Sequence, residues 1–220
     1  MGNTRLVSWI IVLVVVADQV LKIWVKTHMA YGEEMPILGS AHAILRFEEN
    51  EGMAFNIQFA GEYGKLILSL FRILAMILLT YYLRLLLREK AGRGLIVGIG
   101  LVLAGAIGNI IDSAFYGMIF SISSPHGGVA ELFPAEGGYA PFLYGSVVDM
   151  FYFPIYVGTY PDWFPLVGGQ VFHFFRPIFN LADVAISVGV LLLLYHFMRG
   201  QKAKAEPQAA AVNDDNREEE

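Results

Sequence analysis

The 220-residue chain has no cysteine. That excludes disulfides, thiolate nucleophiles, cysteine-ligated zinc and iron–sulfur clusters together, and leaves the redox compartment open. Charge is scarce as well. Only 16% of residues are charged, and 15 basic against 20 acidic residues give a net charge of -5, a poor footprint for nucleic acid, so no nucleic-acid partner is expected. The five histidines (His28, His42, His126, His173, His196) form no i, i+4 pair of the kind that binds zinc, and no metal or other cofactor is expected. No Gly-x-Ser-x-Gly elbow, phosphate-binding glycine loop or internal repeat is present. The chain is instead 56% hydrophobic with a mean hydropathy of +0.54, a composition that belongs in lipid.

A membrane helix needs roughly 20 mainly apolar residues to cross about 30 Å of hydrocarbon. Residues 6–25, 64–87, 95–111 and 179–198 meet that requirement. The first run passes Asp18 without a small-residue cleavage site and is read as a retained span rather than a signal peptide. Arg84, Arg88, Lys90 and Arg93 crowd one short link, Arg199, Lys202 and Lys204 follow the last span, and Arg5 precedes the first. Basic residues mark the cytoplasmic side, so both termini are expected inside and residues 26–63 and 113–177 outside. The expected fold class is an all-α polytopic membrane protein of four transmembrane helices, forming one domain over residues 1–199. A small extracytoplasmic β-sheet is expected from the alternating and aromatic residues around Gly52, and an extended, partly ordered cap from 113–177. Residues 200–220 have nothing to bury and read as a disordered cytoplasmic tail.

Ionisable groups at membrane depth are costly and are functional suspects by default. Asp18, Asp112, Asp149 and Asp183 stand out. At 1.5 Å per residue, Asp112 lies roughly 28 Å outward from Arg93 and Asp18 roughly 20 Å beyond Arg5. Asp183 opens the inward-running last span, and Asp149 follows Val147-Val148, so all four are expected near one plane at the outer edge. Asn109 and Asn180 each precede an aspartate by three residues, a spacing that shares one helix face. Asn180 and Asp183 also suit a helix cap. Asp112, placed at the C-terminal end of its span, opposes the helix dipole and needs a cationic partner, Lys22 or Lys26, or a functional use. Two adjacent carboxylates cannot both ionise easily, so one holds a proton while the other draws one from water that attacks a carbonyl. The same intramembrane carboxylates also suit the proton relay of an ion-coupled carrier, and a non-enzymatic membrane assembly factor is the remaining alternative.

Five blocks, in order, resemble the lipoprotein signal peptidase family, the type II signal peptidases. They are Asp18-Gln19 with Lys22, Asn50-Glu51-Gly52-Met53-Ala54-Phe55, Gly108-Asn109-Ile110-Ile111-Asp112, Val147-Val148-Asp149, and Phe179-Asn180-Leu181-Ala182-Asp183. The resemblance implies an aspartic endopeptidase of the bacterial cytoplasmic (inner) membrane, with Asp149 and Asp183 as its catalytic pair. It implies that Asp18, Lys22, Asn50, Gly52, Asn109, Asp112 and Asn180 bind substrate or support the site. The implied substrate is a diacylglyceryl-modified prolipoprotein, cut before the lipidated cysteine and received from membrane lipid by a monomer with its site near the outer face. Two departures accompany the resemblance. Ser113 stands where the family's block continues with arginine, so that arginine's contact is missing or supplied elsewhere. Residues 113–144 form an insertion, whose glycine pairs and aromatics suggest a mobile lid over the pair.

Overall fold

The computed structural model describes residues 2–50, 63–124, 128–174 and 177–218. Four helices are long and apolar enough to cross a membrane: α1 (Asn3–His28), α2 (Gly64–Arg88), a third running from Arg93 to Ile119, and the Leu181–Arg199 part of the last helix. The third consists of α3 (Arg93–Ile111), a π-helical turn (Asp112–Tyr116) and a short α4 (Gly117–Ile119). Asp112 is therefore not at a helix end, as the apolar run suggested, but at the first residue of a π turn inside a longer helix. Such turns recur at functional sites. The last helix, α5 (Leu181–Glu218), also outruns its expected end. Its backbone stays helical past Gly200.

Helix α3 is the hub of the bundle, touching α1, α2 and α5. Its glycines let the neighbours approach closely, as small residues do where lipid offers no hydrophobic drive between helices. A Cβ on Gly105 would lie 2.2 Å from the Ala182 carbonyl of α5, and one on Gly108 would lie 2.6 Å from Asp18 Oδ2 of α1. Near the Arg93 end of α3, Val7, Leu83, Leu86, Ile96, Ile99 and Leu103 form one apolar core. At the other end Val25, Met29, Phe47, Tyr116, Phe120, Val148 and Met150 form a second. The polar cluster described below lies between these two cores.

A four-stranded antiparallel sheet takes the order β1-β2-β3-β6, with β1 Glu34–Pro36, β2 Ile44–Asn50, β3 Val147–Tyr152 and β6 Ile178–Phe179. Strand β2 lies in the segment where strands are expected and pairs with nearby β1 on one side, but its other partner, β3, comes from distant sequence; the other half of that segment, with Gly52, Phe55, Ile57 and Phe59, lies outside the described residues. In the β2–β3 register Glu48 faces Asp149 and Asn50 faces Val147, with an irregularity between Leu45 and Glu48. A separate hairpin, β4 (Tyr156–Thr159) with β5 (Val171–Phe174), fills the link between β3 and β6.

The described part of the 113–144 insertion forms a cap bonded to its surroundings at several points. Its backbone bonds the helix end it leaves, through Gly145 N to Ser113 O (2.9 Å), Ala140 N to Gly117 O (2.9 Å) and Tyr139 N to Phe120 O (3.1 Å). Ser69 of α2 donates to Leu143 O at 2.8 Å. Lys26 of α1 pairs with Glu49 of β2 and donates to Ser123 Oγ at 2.7 Å, so Lys26 is spent on the cap.

Candidate active site

Construction of the site starts at the first turn of α5. Asn180 Oδ1 accepts from Asp183 N at 3.0 Å while Asp183 Oδ2 accepts from Asn180 N at 3.2 Å, a reciprocal cap. Asp18 of α1 caps the same turn from outside, accepting from Ala182 N at 2.8 Å. The capping reading of Asn180 and Asp183 is correct, and the cap also fixes where the Asp183 carboxylate sits.

Lys22 is fully buried and lies between two buried carboxylates, 2.9 Å from Asp18 Oδ2 and 2.7 Å from Asp112 Oδ2. Of the two cations weighed as partners of Asp112, it is Lys22 that answers. A buried ion pair costs several kcal/mol of desolvation per charge, and persists only when its remaining hydrogen-bonding capacity is filled. That condition is met: Gln19 Nε2 donates to Asp112 Oδ1 at 2.9 Å, Val148 N donates to Asp112 Oδ2 at 3.3 Å, and Lys22 donates to Asn109 Oδ1 at 2.9 Å. Tyr116 OH holds Gln19 in turn, donating to its Oε1 at 3.1 Å.

Asparagines connect this cluster to the two remaining carboxylates. Asn109 Nδ2 donates to Asp183 Oδ1 at 3.0 Å. Asn180 Nδ2 donates to Asp149 Oδ1 at 2.7 Å and lies within hydrogen-bond distance of Asn109 Oδ1 and Val148 O. Asn50, on β2 beside β3, also hydrogen-bonds Asp149. Burial, and then the like charge of Asp183, push the Asp149 carboxyl up to about 7 against the opposing hydrogen bonds of Asn180 and Asn50. Asp183 itself is only partly buried.

Eight of the nine residues singled out in the sequence meet here: Asp18, Lys22, Asn50, Asn109, Asp112, Asp149, Asn180 and Asp183. Gly52 lies outside the described residues. Sequence reasoning missed Gln19, Tyr116, Ser113 and Arg72 as members of the cluster. Arg72 Nη1 donates to Ser113 Oγ at 2.8 Å. The signal for Arg72 in the sequence is a single arginine in an apolar run. Among the described residues no group of three or more His, Cys, Asp or Glu is arranged to hold a metal ion.

Fold and site define a multi-pass membrane protein built around a buried carboxylate and amide network. Comparison with known proteins makes this specific. The model of the signal peptidase (SPase) II family matches residues 10–199. A lipoprotein signal peptidase of Porphyromonas gingivalis is 48% identical over 201 residues, covering 89% of this chain and 84% of that protein. One from Amoebophilus asiaticus is 39% identical over 188 residues, covering 84% and 74%. A bacterial membrane enzyme solved by the in meso method at 2.3 Å shares the fold with a TM-score of 0.59 at 22% identity, covering 91% of this chain and 92% of that one. The chain belongs to the signal peptidase II family. It is a membrane protease, which sets aside the carrier and assembly-factor alternatives.

Proposed function

We propose that the protein removes signal peptides from diacylglyceryl-modified bacterial prolipoproteins by cutting the peptide bond before the lipidated cysteine, with Asp149 and Asp183 as an aspartyl dyad. The observation that carries the reading is the pair's asymmetry. Both carboxylates are tied to Asn180, yet Asp149 is buried and raised to about 7 while Asp183 is partly exposed. Below about pH 7 Asp149 keeps a proton and Asp183 serves as base, the division of labour that a shared-proton carboxylate pair requires. Asp183 takes a proton from water as the water oxygen attacks the scissile carbonyl carbon, and Asp149 gives its proton to the carbonyl oxygen. Collapse of the tetrahedral diol breaks the C–N bond: Asp183 passes its proton to the departing cysteine nitrogen, and a diol hydroxyl returns a proton to Asp149 as the new carboxyl group forms.

In this reading the protein is a monomer of the bacterial cytoplasmic membrane with both termini inside. The sheet and cap lie on the outer face, where a lipidated peptide enters from the bilayer and water enters from outside. Asn50, Asn109 and Asn180 orient the dyad or the substrate backbone, and Asp18, Lys22 and Asp112 hold the framework. The test is cleavage of a diacylated prolipopeptide by the purified protein and by Asp149→Asn and Asp183→Asn. Each substitution removes an ionisable oxygen and almost no volume, so each variant is expected to fold and to lose activity. Substantial turnover by either would refute the dyad.

A further inference from the structure

Arg72 is the only charged residue of α2 between Lys65 and Arg84, about 12 Å along the axis from the Gly64 end at 1.5 Å per residue. A cation at that depth is expensive and calls for a use. Lipid-facing snorkelling does not account for it, because the side chain is half-buried and turned onto the site. Among the described residues its hydrogen bond is to Ser113 Oγ at 2.8 Å, and it forms no ion pair. Ser113 Oγ in turn donates to Asn109 O at 3.0 Å, and Asn109 Nδ2 donates to Asp183 Oδ1. Asp183, Asp112 and Asp149 are the carboxylates whose charges reach the guanidinium. Ser113 stands where the family pattern expects an arginine, and the fold brings a guanidinium to that same hydroxyl from another helix.

We propose that Arg72 is a positioning residue of the reaction: held on Ser113, it supplies the positive charge that keeps the dyad in its one-proton state and steadies Asn109 against Asp183. The inference rests on the dyad reading above. The other charges facing the pair are committed elsewhere. Lys22 of α1 is shared by Asp18 and Asp112, Lys65 of α2 donates to Ser146 Oγ at 3.4 Å, and Glu48 of β2, opposite Asp149, is paired with Arg46. The charge of Lys22 also reaches Asp149, and Arg72 adds a second cation, one that the charges of Asp183 and Asp149 both reach.

The experiment measures kcat and KM against pH for the full-length protein with a diacylated prolipopeptide. Without a nearby positive charge a carboxylate holds its proton more tightly. Arg72→Met is therefore expected to move both limbs of the pH profile upward by about one unit, and to lower kcat at least about tenfold with KM changed much less. Arg72→Lys keeps the charge but loses the planar fork, so its limbs should stay in place while kcat falls in part. Arg72→Met combined with Ser113→Arg returns a guanidinium to the same spot and should recover most of the lost kcat. Unshifted limbs in Arg72→Met, or a loss that Ser113→Arg does not repair, would overturn the proposal. Should Arg72→Met fail to fold, Ser113→Ala decides: release of the guanidinium is expected to cut kcat severalfold, and an unchanged kcat refutes the idea. Asp149→Asn and Asp183→Asn run alongside. If either is active, the dyad reading has failed; if both are dead while Arg72→Met behaves as the parent, only this inference has.

Discussion

Asn180 serves two carboxylates and a helix cap with one amide: its Nδ2 reaches Asp149, its Oδ1 caps the turn that carries Asp183, and its backbone N–H donates to Asp183. A unit tied this way should respond as a unit, so the Asp149→Asn/Asp183→Asn double variant is expected to be no slower than either single one in single-turnover assays. The raised carboxyl of Asp149 gives a sign for pH dependence. Below about 7 it holds the proton that the proposed dyad mechanism needs, and above that it ionises beside Asp183. The kcat/KM profile should therefore fall as pH rises through roughly 7, and a plateau extending to pH 9 would contradict the assignment. Lys22 makes a different kind of contribution. Replacing it with methionine leaves Asp18 and Asp112 buried without a cation, and removal of one partner from a buried pair costs about 3–5 kcal/mol. Thermal unfolding in detergent should register a large drop for Lys22→Met, along with lost activity.

Among the elements, the α3–α5 contact decides whether the site exists, because α5 carries Asn180's cap and Asp183 while α3 carries Asn109 and Asp112. Gly105 sits where any side chain strikes the Ala182 backbone. Gly105→Val is expected to push the helices apart, cost about 1–3 kcal/mol by overpacking, and reduce kcat with it. Normal activity in that variant would mean that the two helices tolerate separation. Since Ser123 lies on Lys26 and Phe120 is part of a buried core, replacing residues 121–138 with a short Gly/Ser link should lower the thermal midpoint more than it raises KM. A raised KM with an unchanged midpoint would restore the lid.

At the level of the whole molecule, orientation in the bilayer governs where water and substrate meet the proposed dyad. Arg84, Arg88, Lys90 and Arg93 gather at the α2–α3 link, at the far end of α3 from Asn109 and Asp112. Basic links stay cytoplasmic. Reporter fusions after Arg88 and after Lys204 are therefore expected to read as inside and a fusion at Gly138 as outside. An external signal after Arg88 would invert the placement of every aspartate.

The sequence by itself determined the four apolar spans, the protease family and the short set of polar residues able to do chemistry. Apolar runs of membrane length and isolated Asp, Asn and Lys within them are local signals, readable without knowing what touches what. It also marked Asp112 as needing either a cationic partner or a functional use, since a carboxylate buried at that depth cannot stand alone. Only the tertiary structure decided the rest. Strand β3, bearing Asp149, forms by pairing with β2 from the other side of two helices, a non-local contact that periodicity does not encode. Lys22 rather than Lys26 meets Asp112 because the cap claims Lys26 for Glu49 and Ser123. Arg72 joins the site from a helix on which nothing else pointed there, since electrostatic partnership depends on distance in space and the chain records only distance along itself.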